Sequence, residues 1–193
     1  MSIIRNFIQK TFDSIVLVCY PFIKIYYSHF YLRINNLIGD YFVSTIHNRG
    51  IDLRIHGFGR FTSPERIKIG DYCRIGNNAH FHGSGGLKIG NNVQISRNVT
   101  IYTANHNFNS ATHLPYDNTE LYGFVTIGDN VWIGMNVSIL PNVTIGDNAI
   151  IGMGAIITKD VAPRSIVVGN NKVVGFRDLP ENPLMFGKEF PNA

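Results

Sequence analysis

Seven histidines are spread through a chain of 193 residues, and imidazole is the side chain best suited to moving protons near neutrality. With an unperturbed pKa of about 6.5 it can take a proton from a weak nucleophile and return it, help worth roughly 10²–10⁴-fold in rate. His106 has the most informative setting. It closes the run Thr103-Ala104-Asn105-His106 just after a strictly periodic stretch ends, so a stiff element fixes where its backbone begins. His113 follows in the same aperiodic segment, and His80 and His82 flank Phe81 at a break in the periodicity. Read as projecting to alternate faces, His80 and His82 are not expected to share a metal ion, and His106 and His113 are poorly spaced for one. No metal site is expected. Two far-apart cysteines, Cys19 and Cys73, make no disulfide framework, so a reducing cytoplasm is the expected compartment.

The element that must position these groups is written in hexads. Residues 127–162 divide into six blocks opening at Ile127, Ile133, Ile139, Ile145, Ile151 and Ile157, with Val or Ala fifth in every block and Gly second in four of six. A six-residue period fits neither a helix nor one long strand; it fits a short strand and a tight turn, repeated. The branched first residue and the small fifth residue point inward, and Gly, Asn or Asp supply turns where positive φ costs them little. Three such sides close a triangular coil of about 18 residues, so this block makes two coils of a parallel β-helix. Further hexads open at Ile69, Ile75, Ile89, Ile95 and Ile101; Cys73 takes the small inward position of the first.

Around this solenoid lie less regular segments. Residues 3–34 carry a helical apolar stripe, and Pro21 is expected to kink or split that helix. Its longest uncharged run, between Asp13 and Lys24, is too short to span a membrane. The helix reads either as a cap on the solenoid or a sister subunit, or as an interfacial helix resting on an anionic membrane through its aromatics with Lys10, Lys24 and Arg33. Ile51-Asp52-Leu53-Arg54-Ile55 alternates like a strand and opens an irregular first coil. The glycine run at 83–86 lacks the lysine and helix start of a phosphate loop and reads as a turn absorbing a two-residue phase slip. Between Tyr102 and Phe124 the repeat stops, and an excursion of this length must leave the prism. The chain therefore divides into a helical segment 1–50, a solenoid 51–175 with its loop at 103–124, and a tail 176–193. A net charge of +4 with basic residues occurring singly gives no stripe that could follow a nucleic acid.

The hexads resemble the hexapeptide-repeat acyltransferases with a left-handed parallel β-helix, in particular the maltose/galactoside and polysaccharide O-acetyltransferase branch, over residues 51–175. The resemblance implies a mainly β fold and a homotrimer with sites between subunits. It implies transfer of an acetyl group from acetyl-coenzyme A, a co-substrate, to a sugar hydroxyl in cell-surface polysaccharide or glycan synthesis. Thr103-Ala104-Asn105-His106 matches the family's Thr-x-x-His, which makes His106 the general base. By the same resemblance Asn78, His80 and His82 are acceptor-binding candidates, and His113 could orient the base. Trp132 and Met135, in the family's tryptophan hexad, fall where the pantetheine arm runs. Met153, Thr158 and Lys159, in Gly152-Met153-Gly154-Ala155-Ile156-Ile157-Thr158-Lys159-Asp160, line the donor channel. Lys172 is the basic residue for the nucleotide end, although Gly169-Asn170-Asn171-Lys172 lacks the usual proline and is one residue short. An N-acyltransferase acting on an amino sugar is the alternative within this fold, and a carbonic-anhydrase-like zinc protein is the alternative of another class.

Overall fold

The computed structural model describes residues 2–180, with side chains from Ser14 onward except at 28 and 29. Short strands stack into three parallel sheets, the sides of a β-helix. The first face carries Asn48–Arg49, Ile67–Ile69, Leu87–Ile89, Val125–Ile127 and Thr144–Ile145. The second carries Arg54–Ile55, Arg74–Ile75, Gln94–Ile95, Trp132–Ile133, Ile150–Ile151 and Ser165–Val168, then the antiparallel Lys172–Phe176. The third carries Gly59–Thr62, Ala79–His82, Thr100–Tyr102, Ser138–Ile139 and Ile156–Ile157. The first coil thus begins at Asn48, slightly before the alternation at Ile51 suggests.

The hexad logic holds inside the prism. Ile127, Ile133, Ile139, Ile145, Ile151 and Ile157 are all buried, as are the fifth-position residues Val131, Val137, Val143, Ala149, Ala155 and Val161. Burying an isoleucine side chain is worth about 1.5–3 kcal/mol, so each coil contributes its own share of the core. Coil length is not constant. Cross-coil partners stand 20 residues apart in the upper coils and 18 apart below the excursion. The extra residues extend the upper third face, where Gly59–Thr62 and Ala79–His82 are four residues long.

The turns divide between two hexad positions. The fourth takes positive φ, as the Asn there allows: Asn130, Asn136, Asn142 and Asn148 lie between 58° and 65°. Asparagine tolerates this region because its short amide bonds locally. These amides also ladder between coils, Asn78 Nδ2 donating to Asn98 Oδ1 (3.1 Å) and Asn98 Nδ2 to Asn136 Oδ1 (2.9 Å). Glycine at the second position answers a close approach instead. A Cβ on Gly128 would lie 2.2 Å from Asp147 Oδ1, the oxygen that accepts the Asp129 N–H from the coil above.

The N-terminal helix is not split at Pro21. α1 runs Ser2–Ile25 through the proline, a π-helical turn follows at Tyr26–Tyr31, and α2 continues as Leu32–Thr45. Proline removes one helical hydrogen bond and crowds the preceding turn, but the flanking turns carry the helix past it. α2 caps the solenoid from Asn35 onward. Ile46 is fully buried, the Phe42 ring meets Phe61 at 5.4 Å, and Gly57 N donates to Asn35 O. Every position from Ser14 to Tyr27 is exposed. Of the tail 176–193, the part beyond residue 180 falls outside the described residues.

Candidate functional site

Thr103 is where the excursion is moored. Its side chain is fully buried; its hydroxyl donates to His82 O and accepts from Gly85 N (2.8 Å), while its carbonyl accepts from Gly123 N (2.8 Å). The glycine run therefore does more than absorb a phase slip. A Cβ at Gly85 would sit 1.9 Å from Thr103 O, so the run lets the departing chain lie against the previous coil. The excursion itself is an antiparallel hairpin, Ala104–His106 against Glu120–Tyr122, where the sequence offered only an aperiodic loop. Asn107 Nδ2 donates to Asp117 Oδ2 (2.8 Å) and Asp117 Oδ1 accepts the Thr119 N–H, holding the hairpin's base. The Leu114–Pro115 peptide is cis.

His106 ends the outgoing strand opposite Glu120. Its ring stacks on Tyr116, centroids 4.0 Å apart and planes 11° apart, which fixes the imidazole plane while leaving its edge exposed. It lines a pocket of about 260 Å³ with Arg60, Thr62, His80, His82, Tyr102, Ala104, Asn105 and Glu120. Arg60, His80 and Thr100 form one column across the third face; Thr62, His82 and Tyr102 form the next but one.

The sequence reading of His80 and His82 is corrected here. Residues i and i+2 of a strand share a face, so both imidazoles point out of the prism while Phe81 is buried between them. Both rings meet Tyr102, His82 stacked at 5.3 Å and His80 edge-on at 5.4 Å. Burial lowers the His80 pKa, aided by the Arg60 charge and His82. Among the described residues no three His, Cys, Asp or Glu side chains are grouped to hold a metal ion. Asn78 does not line the pocket, since it belongs to the asparagine ladder. His113 is exposed on the hairpin, its Nδ1 paired with the Thr112 hydroxyl at 2.8 Å.

The donor candidates lie elsewhere. Trp132 is 54% exposed on the second face, between Gln94 and Ile150. Met135 and Met153 occupy adjoining rungs at the corner that follows, Gly154 N donating to Met135 O. Thr158, Lys159 and Lys172 gather at the lower end. There Asn171 Oδ1 accepts from the backbone N–H of Thr158 (2.7 Å) and of Lys159 (3.2 Å), and Lys172 follows Asn171 directly. None of these six residues lines the His106 pocket. Sequence reasoning missed Arg60, Thr62, Tyr102, Asn105 and Glu120. The signal for two of them was present: Arg60 and Thr62 precede His80 and His82 by one upper-coil period.

Residues 124–159 match the family model described as bacterial transferase hexapeptide (six repeats), and residues 66–103 match the hexapeptide repeat of succinyl-transferase. These stretches carry the hexapeptide repeats of bacterial acyltransferases, and the chain spans less than two thirds of the length of the curated relatives it matches. It is 37% identical over 84 residues to the galactoside O-acetyltransferase of Escherichia coli (strain K12), which is 43% of this chain and 40% of that relative's length. A maltose O-acetyltransferase from Clostridium difficile 630 superposes with a TM-score of 0.63 and 26% identity, covering 80% of this chain and 91% of the other. A galactoside acetyltransferase solved with coenzyme A superposes with a TM-score of 0.58 and 28% identity, covering 75% and 82%.

Proposed function

We propose that this chain transfers an acetyl group from acetyl-coenzyme A to a hydroxyl of a sugar, with His106 as general base. The observation that carries the reading is His106 itself, clamped by Tyr116 and aimed with His80, His82 and Tyr102 into a polar pocket beside a rigid wall. In this mechanism an unprotonated ring nitrogen of His106 removes the acceptor hydroxyl proton. The oxygen attacks the thioester carbonyl, and backbone N–H groups of the solenoid wall hold the developing oxyanion. The C–S bond then breaks and the imidazolium returns its proton to the departing thiolate. Coenzyme A acts here as a substrate, lying along Trp132, Met135 and Met153 toward Thr158, Lys159 and Lys172.

Because none of those residues lines the His106 pocket, one chain provides two separated half-sites. A homotrimer that sets the pocket of one copy against the donor groove of the next supplies the complete site. We also infer that residues 3–34 rest on an anionic membrane surface. Among the described residues of this segment large apolar side chains are exposed, Leu17 at 74% and Phe22 at 71%, with Lys24 and Arg33 among its aromatics. No helix among the described residues is long and apolar enough to cross a membrane. An acceptor in cell-surface glycan synthesis accords with that placement.

The test is thiol release from acetyl-coenzyme A across a panel of sugars. His106→Ala is expected to lower turnover roughly 10²–10⁴-fold with coenzyme A affinity unchanged. Intact turnover with weakened donor binding would remove His106 from the base role.

A further inference from the structure

The upper wall of the pocket holds a cation that no acid among the described residues compensates. Arg60 lies in register with His80 on the adjacent strand and lines the pocket with an exposed side chain. The ion pairs among the described residues are Arg54–Asp52 and Arg74–Asp52, so none of their carboxylates lies within bridging distance of Arg60. Glu120, the one acid lining the pocket, stands on the hairpin opposite His106. Guanidinium has five N–H donors in a rigid fork and no acceptor, a match to carboxylate or phosphate rather than to a neutral polyol. Arg60 and His106 line the same pocket of about 260 Å³, so one ligand can meet both. Thr62 and His82 line the same wall between Arg60 and the hairpin.

We propose that the acceptor is an anionic sugar, its carboxylate or phosphate gripped by Arg60 while the hydroxyl to be acetylated faces His106. The assignment of the hydroxyl rests on the acetyl-transfer reading; the anion site does not. The class of reaction that supplies this substrate is one that oxidises a sugar to a uronate or phosphorylates it.

Titration of the full-length chain, followed through its histidine side-chain NMR signals, separates the two. Glucuronate or glucose 6-phosphate is expected to shift the His80 and His82 signals where glucose at equal concentration does not, and the tighter of the two names the anion. Arg60→Gln should weaken that binding roughly 10- to 100-fold, and Arg60→Lys by less, because the charge survives and the fork does not. The anionic-sugar proposal falls if glucose binds as well as both charged sugars, if Arg60→Gln changes nothing, if inorganic phosphate alone matches both, or if no probe shifts either histidine. Charged sugars that bind but release no thiol from acetyl-coenzyme A would sink the transfer reading and leave the anion site standing.

Discussion

At the scale of single residues, His106 stacks on Tyr116 at the end of a strand moored by three bonds of Thr103. Its place just past the last rung was legible because Thr103 three residues earlier ends the periodicity. Arg60 and Thr62 were hidden because a coil of 20 residues, not 18, brings them beside His80 and His82. Glu120 was hidden because only hairpin pairing carries it opposite His106. The sign of pH dependence follows from His80. Its folded pKa lies below 6.5, chiefly through burial, so folding favours the neutral ring. That stability is present above the unfolded pKa of about 6.5 and is lost as pH falls toward the folded value, where the unfolded chain binds more protons. His56 is lowered in the same sense, again first by burial. Thermal melts of His80→Gln should therefore lose less stability than wild type between neutrality and mild acid. An unchanged acid limb would show that His80 does not contribute to it.

At the scale of elements, the strands and the inward pattern were legible in the hexad, while which turn position is left-handed was not. Periodicity records which side chains are buried; it does not record which backbone turns left-handed or how closely the next coil approaches. Asn148 separates these effects, since φ is 61° there and its backbone N–H bonds Asp129 O whatever the side chain. Asn148→Ala should lower the urea midpoint by the equivalent of about 1–2 kcal/mol, the cost of an ordinary residue in the left-handed region. Asn148→Gly should stay close to wild type. Equal losses for both variants would move the role from backbone to amide.

At the scale of the whole molecule, α2 closes the first coil from Asn35 onward, and the side chains from Ser14 to Tyr27 are exposed, Cys19 among them. Cys73 is its internal control, buried with its thiol pushed up to about 11 by that burial. Alkylation of the native chain should label Cys19 and spare Cys73, and anionic vesicles should slow the Cys19 reaction where neutral vesicles do not. Protection of Cys19 before any vesicle is added would assign the helix to contacts between copies instead.

Thr103 and Gly123 meet across the foot of the hairpin, and directly below them Val125 resumes pairing with Leu87 as though nothing had intervened. The coils keep their register whatever the length of chain between His106 and Glu120, so the tip of the hairpin is free to vary while Arg60, His80 and His82 stay fixed to the tower.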